Sequence, residues 1–403
     1  MSPDPGTVLV VDGNSLLHRA FHASARSGFR DAAGRPAWAV RGLLSQLVAA
    51  VDRAMADAVV VGFDDPAASV RRERWPTYKA HRTEKPETLV EQLGSVVGVL
   101  RELGAAVVVP PGLEADDVLA SVAAQAPGAG WRTVLATSDR DSFALVDEHT
   151  RVLRILNGGV DASPLLDPAR LFLVTGVRPE QYLDLAALRG DASDNLPGVA
   201  GFGAKTAAKL LAALGTGADA LADAAAGGER CRVAVGPARA RTLATDEARE
   251  RFWLNREVMA MARTVDVGIA PGSPAPGALP LDEAAVRSVF GRHDLFVNGA
   301  VRALTLAEPV PGAPEREHTA YAAERQVTSS STGPTSTAPK TRNVVTVSSS
   351  PSSSVKSCTC SQCPRATWPK ARPAVKAAMK PLPSSSTAPA YAAATTPSAA
   401  SWR

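Results

Sequence analysis

Several short apolar runs in this chain end in an acidic residue, and this pattern constrains the fold more than any other feature. The runs are 8–11, 59–63 and 133–137, and the acids that follow them are Asp12, Asp64, and Asp139 with Asp141. Continuous β-branched runs of this length are typical of buried parallel strands. Because the carboxyl ends of parallel strands meet at one edge of a sheet, the pattern predicts that these acids lie close together.

A denser group of carboxylates, Glu114, Asp116 and Asp117, directly precedes the apolar run 118–122, at a predicted helix N-terminus where the helix dipole favours negative charge. Asp191 and Asp194 add a further acidic pair. A single aspartate after a strand usually caps a turn, but capping does not explain five acidic groups. Like charges at close range do not all stay ionised unaided, and carboxylates are the ligands that Mg²⁺ and Mn²⁺ prefer. The set therefore predicts a metal-dependent phosphodiesterase.

Strand and helix patterns alternate as far as about residue 155, which predicts an α/β fold with a mainly parallel central sheet flanked by helices. The predicted strands are 7–11, 58–63 and 105–109, and the predicted helices are 39–55 and 89–103. Residues 167–302 carry a mainly helical pattern. From about residue 307 the chain is rich in Ser, Thr, Pro and Ala, a composition that predicts disorder.

Charge and cysteine content limit which partners and which cellular compartment we expect for the protein. The 40 acidic residues all lie at or before Glu324, where they face 34 of the 44 basic ones, so this part carries a net charge of −6 and the remainder +10. Any affinity of the folded part for nucleic acid therefore depends on local basic patches and metal. The N-terminus lacks the pattern of a signal peptide, no apolar run reaches membrane-spanning length, and Cys231 is the only cysteine before the tail. We expect a cytoplasmic protein without a membrane partner.

Five acidic motifs occur in a fixed order along the chain. They are Val11-Asp12-Gly13-Asn14, Phe63-Asp64, Glu114-Ala115-Asp116-Asp117, Thr137-Ser138-Asp139-Arg140-Asp141, and the run 190–198 that contains Asp191 and Asp194. In this order they resemble the motifs of the 5′-nuclease (flap endonuclease) family, most closely the 5′→3′ exonuclease domain at the N-terminus of bacterial DNA polymerase I. The implied fold is the PIN-like 5′-nuclease fold.

The resemblance implies a centre with two metal ions. The first ion would be held by Asp12, Asp64, Glu114 and Asp116, the second group would comprise Asp139, Asp141, Asp191 and Asp194, and Asp117 would lie near both. The implied ion is Mg²⁺, for which Mn²⁺ can substitute. Two ions about 4 Å apart activate a water molecule and stabilise the leaving oxygen of an in-line displacement.

The basic stretch 71–82 contains Tyr78-Lys79-Ala80-His81-Arg82, which matches the family's Tyr-Lys-Ala-x-Arg motif. On a helix, Tyr78 and Arg82 share one face, although a stretch of this charge is usually just a solvated helix face. The resemblance implies a gateway or arch helix over the active site. There Lys79 and Arg82 would be catalytic cations on the scissile phosphate and Tyr78 would stack on a displaced base. Further phosphate contacts are expected from Arg19 and Arg71, and none from His18.

Residues 197–206 look like a Walker A loop at first sight, but no strand precedes them and Ala204 stands where that loop requires glycine. A helix-hairpin-helix fits better. It is similar to the family's element that grips duplex DNA and commonly binds a potassium ion, K⁺. The implied DNA contacts are Gly198, Gly201, Gly203, Lys205 and Thr206. A zinc site at Cys358, Cys360 and Cys363 is not expected, because a fourth ligand is missing.

Three segments follow: an α/β nuclease domain at 1–166 with the gateway at about 70–90, a helical DNA-binding region at 167–305 with the hairpin at about 185–215, and a low-complexity tail at 306–403. We expect a stand-alone, monomeric nuclease that cuts DNA with a 5′ flap, a nick or a free 5′ end, including RNA-primed ends, in replication and repair. A DNA polymerase would cooperate in trans. Two alternatives stay open: a non-catalytic structure-selective DNA-binding protein on the same fold, and a PIN-like ribonuclease.

Overall fold

A six-stranded β-sheet lies at the centre of the protein, whose computed structural model describes residues 5–306. The strands are β1 (Gly6–Asp12), β2 (Ala58–Gly62), β3 (Ala106–Val108), β4 (Trp131–Thr137), β5 (Thr150–Arg154) and β6 (Leu165–Leu166). Their order is β3-β2-β1-β4-β5-β6, and all neighbours are parallel except β5 and β6. The predicted mainly parallel sheet is confirmed, and the three predicted strands lie where expected.

Helices cover both faces of the sheet. Those of the first half are α1 (Gly13–Ser24), α2 (Trp38–Ala54), α3 (Val70–Arg74), α4 (Glu87–Leu103), α5 (Ala115–Gln125), α6 (Pro168–Thr175) and α7 (Pro179–Arg189). Val8 and Val10 of β1 are buried in a core with α5 and α7, whereas Leu9 and Val11 are buried on the other face with α1, α2 and α4. Since alternate strand residues point to opposite faces and neither face meets water, the strands are apolar throughout.

The chain beyond the sheet is mainly helical, as predicted. The remaining helices are α8 (Ala204–Leu214), α9 (Gly217–Ala225), α10 (Glu229–Val235), α11 (Pro237–Leu243), α12 (Asp246–Val258), α13 (Glu283–Arg292) and α14 (Val297–Leu304). A tight connection with two short paired strands, β7 (Gly190–Asp191) and β8 (Leu196–Pro197), joins α7 to α8. A Cβ atom on Gly198 would lie 2.1 Å from the carbonyl oxygen of Arg189. Glycine is therefore required where the two arms of this connection cross.

The last two helices return to the first core. Val286, Phe290 and Leu304 are buried in the same core as α2 and α4. Before α13, the backbone N–H of Leu279 donates to the carbonyl of Asp57 at 2.8 Å, and Val59 of β2 donates to Gly277 at 2.9 Å. The last two helices of the predicted region 167–305 therefore pack with the first part of the chain. The tail after residue 306 lies outside the described residues, and so do its three cysteines.

The strand order determines where a site can form. β1 lies between β2 and β4, so the winding of the chain reverses at β1, and a crevice opens at the carboxyl ends of the strands. Asp12 pairs in register with Gly62, and Val11 pairs with Ala136. A Cβ atom on Gly62 would lie 2.9 Å from the Cβ of Val118, so glycine lets the start of α5 approach this edge. Among the described helices, none is long and apolar enough to cross a membrane.

Candidate active site

Asp12 ends β1 at the centre of this edge, and its carboxylate is fixed from two sides. One oxygen accepts the backbone N–H of Ser15 at 2.8 Å, and the other accepts the hydroxyl of Thr137 at 2.7 Å. Burial raises the pKa of Asp12 to about 7; these hydrogen bonds oppose the rise, and the charges of Asp64 and Asp139 add to it. Sequence reasoning missed Ser15 and Thr137. The spacing of three residues from Asp12 to Ser15 is that of a helix N-cap and was the available signal.

Asp64 and Glu114 lie next along the edge, where β2 and the start of α5 meet. Asn14 clamps Asp64: its amide group donates to a carboxylate oxygen at 2.8 Å, and its carbonyl accepts the backbone N–H of Asp64 at 3.0 Å. The other oxygen of Asp64 accepts the N–H of Ala115 at 2.9 Å. Burial raises the pKa of Asp64, against the bond from Ala115, and the charge of Glu114 adds to the rise.

Asp116, in the first turn of α5, has the least compensated carboxylate of the group. Its Oδ1 atom is buried and has no hydrogen-bond partner among the described residues. Burial raises the pKa of Asp116 well above its usual value, and the charges of Asp12, Asp139 and Asp141 raise it further. A buried carboxylate oxygen without a donor costs free energy unless a proton or a cation reaches it. Asp116 is therefore the residue here that most needs a cation.

The second group of acids gathers where β4 ends and the connection between α7 and α8 passes. Burial raises the pKa of Asp141 to about 7, and the charges of Asp139, Asp191 and Asp194 contribute to the rise. Burial also raises the pKa of Asp194, although Lys79 and Arg82 oppose that change. Electrostatic interactions thus link this group to Asp116 and Asp12 through Asp139.

Eight of the nine predicted metal ligands interact in this way, and we call them the carboxylate cluster. It comprises Asp12, Asp64, Glu114, Asp116, Asp139, Asp141, Asp191 and Asp194. Within residues 5–306, no three such side chains already stand as a closed ligand set for one ion. The residues nevertheless fit a hard divalent cation, because all donors are carboxylate oxygens, three of the acids have strongly raised pKa values, and one oxygen has no partner among the described residues.

The ninth predicted ligand, Asp117, uses both of its carboxylate oxygens in hydrogen bonds within the protein. Arg71 donates to both of its oxygens at 2.7 Å, and the backbone N–H groups of Glu114 and Ala262 donate at 2.9 and 2.7 Å. Although burial works to raise it, Arg71 holds the pKa of Asp117 below its usual value. Both predictions for this pair need correction. Asp117 has no oxygen left for a metal, and Arg71, 8% exposed, has no surface left for DNA.

The gateway segment also differs from its prediction. Residues 76–81 form consecutive turns rather than a helix, and Lys79 has a left-handed backbone with φ of 56°. Tyr78 is only 5% exposed and donates its hydroxyl to Glu114 at 3.0 Å, so its ring is not free to stack on a base. The ammonium of Lys79 contacts the other oxygen of Glu114 at 2.9 Å. Arg82 pairs with Asp194 at 2.6 Å. Both predicted catalytic cations therefore lie against the carboxylate cluster.

The remaining predicted contacts lie outside the cluster. Arg19 is half-buried and donates to the carbonyl of Leu156. In the α7–α8 connection, Gly198 is half-buried, whereas the other predicted residues lie at or next to the exposed start of α8. They are Gly201, Gly203 and Lys205, which are exposed, and Thr206, which is half-buried. Gly203 is the N-cap residue of α8, and no side chain in the described part of the chain caps this helix, so its first backbone N–H groups lack a side-chain acceptor there.

Two basic residues near the cluster were not singled out from the sequence. Lys85 lowers the pKa of Asp64, and Arg189 lowers that of Asp141. Lys85 belongs to the basic stretch that begins at residue 70. The charge of that stretch is visible in the sequence, but it does not show which of its cations lies near the carboxylates. His18 lies in this positive surrounding too: burial lowers its pKa to about 4, and the charges of Lys85, His22 and Arg82 contribute.

Comparison with protein-family models gives two adjacent matches. The N-terminal resolvase-like domain of 5′-3′ exonucleases matches residues 7–172, and their C-terminal SAM-fold domain matches residues 177–275. DNA polymerase I of Mycobacterium tuberculosis (strain ATCC 25618 / H37Rv) is 39% identical over 210 residues, which are 52% of this chain and 23% of that protein. Thermostable DNA polymerase I of Thermus aquaticus is 42% identical over 206 residues, or 51% and 24%. The chain thus spans about a quarter of the length of these relatives.

Solved structures from bacteriophage T5 share the fold. A T5 5′-exonuclease with bound zinc ions superposes with a TM-score of 0.51 at 20% identity, over 74% of this chain and 99% of that one. A T5 flap endonuclease in a complex with DNA and metal ions superposes with a TM-score of 0.50 at 20% identity over the same shares. At this identity the likeness establishes the fold, and it includes the helical region as well as the sheet.

Proposed function

The chain belongs to the 5′-3′ exonuclease family, and from this membership we propose that it is a structure-selective 5′ nuclease that hydrolyses DNA phosphodiester bonds. The family membership confirms the resemblance predicted from the five acidic motifs. The observation that carries the proposal is Asp116, which lies in the carboxylate cluster and has one buried oxygen without a partner within residues 5–306. Binders of DNA have no use for such a concentration of negative charge, whereas two-metal hydrolysis depends on it.

Mg²⁺ is the ion that we propose for this cluster, with Mn²⁺ as a substitute. When bound, such ions supply the charge that activates the attacking water and stabilises the leaving oxygen. Asp12, Asp64, Glu114 and Asp116 would hold the first ion, and Asp139, Asp141, Asp191 and Asp194 would hold the second. Asp12 has the best-fixed orientation of these, because Ser15 and Thr137 hold both of its oxygens.

Lys79 and Arg82 would contact the scissile phosphate. Both cations form ion pairs with acids of the cluster, Lys79 with Glu114 and Arg82 with Asp194. An arriving phosphate would compete with these carboxylates for the same donors, and transfer of the cations to the phosphate would stabilise the charge that develops on it. Lys85, which lies close enough to lower the pKa of Asp64, would add a further positive charge there.

Duplex DNA would bind at the exposed start of α8. Gly201, Gly203 and Lys205 leave the backbone N–H groups open to a phosphate, and this element would also be the K⁺ site. The substrates would be 5′ flaps, nicks and free 5′ ends, including RNA-primed ends, in replication and repair.

We further propose a cytoplasmic monomer that works with a DNA polymerase in trans. The proposed segments remain 1–166, 167–305 and 306–403, with 277–304 packed on the first.

The test is cleavage of a labelled 5′-flap duplex by the wild type and by Asp116→Asn. We expect the variant to lose at least about a thousandfold in rate with Mg²⁺ while its dissociation constant for the flap, measured with Ca²⁺, changes less than about threefold. Structured RNA is the competitor substrate. Full activity of the variant would remove Asp116 from the chemistry. Binding without any metal-dependent cleavage by the wild type would favour the non-catalytic alternative, and preference for RNA would favour the ribonuclease.

A further inference from the structure

Two arginines beside the carboxylate cluster have no role in the chemistry proposed above. Arg140 lies between Asp139 and Asp141 in the segment that follows β4, and Arg154 ends β5. Thr137, the last residue of β4, pairs in register with Arg154. The two arginines therefore leave neighbouring strands at the same edge of the sheet as the carboxylate cluster. We call them the β5 arginine pair.

Arg154 is held on an aromatic platform. Its guanidinium lies over the ring of Phe143, 5.6 Å from the ring centre, and Phe143 in turn contacts Tyr182 edge to face at 5.3 Å. Both rings are buried, at 1% and 2% exposure, so the platform is part of the core. Stacking of this kind fixes the plane of a guanidinium and leaves its in-plane N–H groups available to a planar or tetrahedral anion.

The pair lacks an anion within the described part of the chain. The Nε of Arg154 is buried without an acceptor, and neither arginine forms an ion pair with a carboxylate of residues 5–306. Burial lowers the pKa of Arg154, and the charge of Arg140 lowers it further. Arg189, which also lies near the cluster, differs because Asp191 stands 3.9 Å from it. Two close positive charges without a paired anion are unfavourable alone, and an anion that reaches their outer N–H groups relieves the repulsion.

We propose that Arg140 and Arg154 bind a backbone phosphate of the DNA substrate on the β5 side of the carboxylate cluster. The site rests on the proposed function and adds to it a contact away from the gateway. Its purpose follows from charge: eight carboxylates repel a nucleic-acid strand, so the strand needs cations on both sides of the cluster to lie across it. The gateway supplies Lys79 and Arg82 on one side, and the β5 arginine pair supplies the other.

The test is the affinity for a fluorescent 5′-flap duplex at several KCl concentrations, with Ca²⁺ in place of Mg²⁺. Arg140→Gln and Arg154→Gln should each weaken binding by about fivefold and reduce the slope of log affinity against log salt by about one. Arg154→Lys, which keeps the charge, should retain most of that slope. The matched control is Arg132→Gln, which changes an arginine near the opposite end of β4 and should alter neither quantity.

An unchanged affinity and slope in both glutamine variants would overturn the proposal and leave Arg154 as a packing residue. If Arg154→Gln unfolds, as a circular dichroism spectrum would show, the exposed Arg140 decides the question alone. Failure here is distinct from failure of the proposed function. In the first case the wild type binds and cuts the flap and the variants bind like it, whereas in the second the wild type itself does not cut.

Discussion

Asp116 and Asp117 are adjacent in the chain and have opposite surroundings. Asp116 has a raised pKa and a buried oxygen without a partner in the described part of the chain, whereas Asp117 has a lowered pKa and both oxygens occupied. The difference arises because Arg71, 46 positions away in sequence from Asp117, reaches only the second of the two. At the scale of single residues, the same acidic pair thus contains one group suited to chemistry and one that holds the fold together.

Asp117→Asn should therefore cost stability where Asp116→Asn does not. Removing the charge of Asp117 takes away the bidentate partner of the buried Arg71 and leaves it only the longer contact to Glu114, at 3.3 Å, so we expect a loss of up to about 3–5 kcal/mol. Removing the charge of Asp116 relieves repulsion from Asp12, Asp139 and Asp141, so that variant should be as stable as the wild type or more so. Urea unfolding in EDTA measures both. Equal losses of unfolding free energy would contradict the separation of roles.

The sequence was informative about where acids gather and uninformative about which atoms they meet. Asp12, Asp64 and Asp139 follow apolar strands, and parallel strands bring their carboxyl ends together whatever else the chain does. The partner of Asp117 could not be inferred, because a distant arginine reaches it only after α3 packs beside α5. For the same reason Arg71 looked like one more cation of a basic stretch.

At the scale of elements, the gateway was the least predictable part. Tyr78 and Arg82 have helical spacing, but Pro76 disfavours a helical conformation at Trp75 and α3 ends at Arg74. The turns that follow are stabilised by hydrogen bonds to a distant segment of the chain. The backbone N–H of Lys79 donates to the carbonyl of Asp194 at 3.0 Å, and the side chain of Asn195 donates to the carbonyl of Thr77 at 2.8 Å. Tertiary contacts, which spacing does not reveal, determine this segment.

The α7–α8 connection allows its structural glycines to be separated from those that would meet DNA. Gly198→Ala would place a Cβ atom 2.1 Å from the carbonyl oxygen of Arg189 and should cost more than about 3 kcal/mol of unfolding free energy. Gly203→Ala meets open space at a φ of −72° and should cost less than about 1 kcal/mol. The second variant should instead weaken duplex binding about fivefold, because its methyl group stands beside the open N–H groups of α8.

Thermal unfolding and fluorescence polarisation with a plain duplex separate the two effects. A Gly203→Ala protein that binds duplex DNA like the wild type would argue against a phosphate at this helix start. A Gly198→Ala protein of wild-type stability would show that the crossing of the two arms tolerates a side chain.

At the scale of the whole molecule, the sheet, its helices and the helical region could be predicted from periodicity, but the packing partners of the last two helices could not. The amphipathic pattern of α13 and α14 does not depend on which core they pack against. They pack against α2 and α4, which come early in the sequence, and residues 277–279, just before α13, form backbone hydrogen bonds at the edge of β2. Amphipathic spacing identifies an apolar face, and it does not tell which partner that face meets.

The stability of the metal-free protein should fall as pH rises. Burial raises the pKa of Asp12 and of Asp141 to about 7 from an ordinary value of 3.8, so the folded state binds protons more tightly than the unfolded state. Stability is then lost between about pH 4 and pH 7. His18, with a pKa lowered to about 4, opposes this trend below pH 6.5. We expect a net loss of about 2 kcal/mol from pH 5.5 to pH 8 in EDTA.

Thermal and urea unfolding at the two pH values measure this loss, and Mg²⁺ at pH 8 should restore it by binding the folded state alone. Asp12→Asn is the control, since it removes one of the two acids and should flatten the dependence. Stability that rises from pH 5.5 to pH 8 in EDTA would mean that the carboxylates are already neutralised by the protein.

The buried oxygen of Asp116, which has no partner within residues 5–306, has a consequence for turnover in the cell. Opening of a folded protein exposes it to proteases in proportion to the population of the open form. In a molecule without bound metal the carboxylates at the sheet edge repel one another, so it should unfold more often and be degraded sooner. Metal binding would then select for survival the molecules that are able to cut DNA.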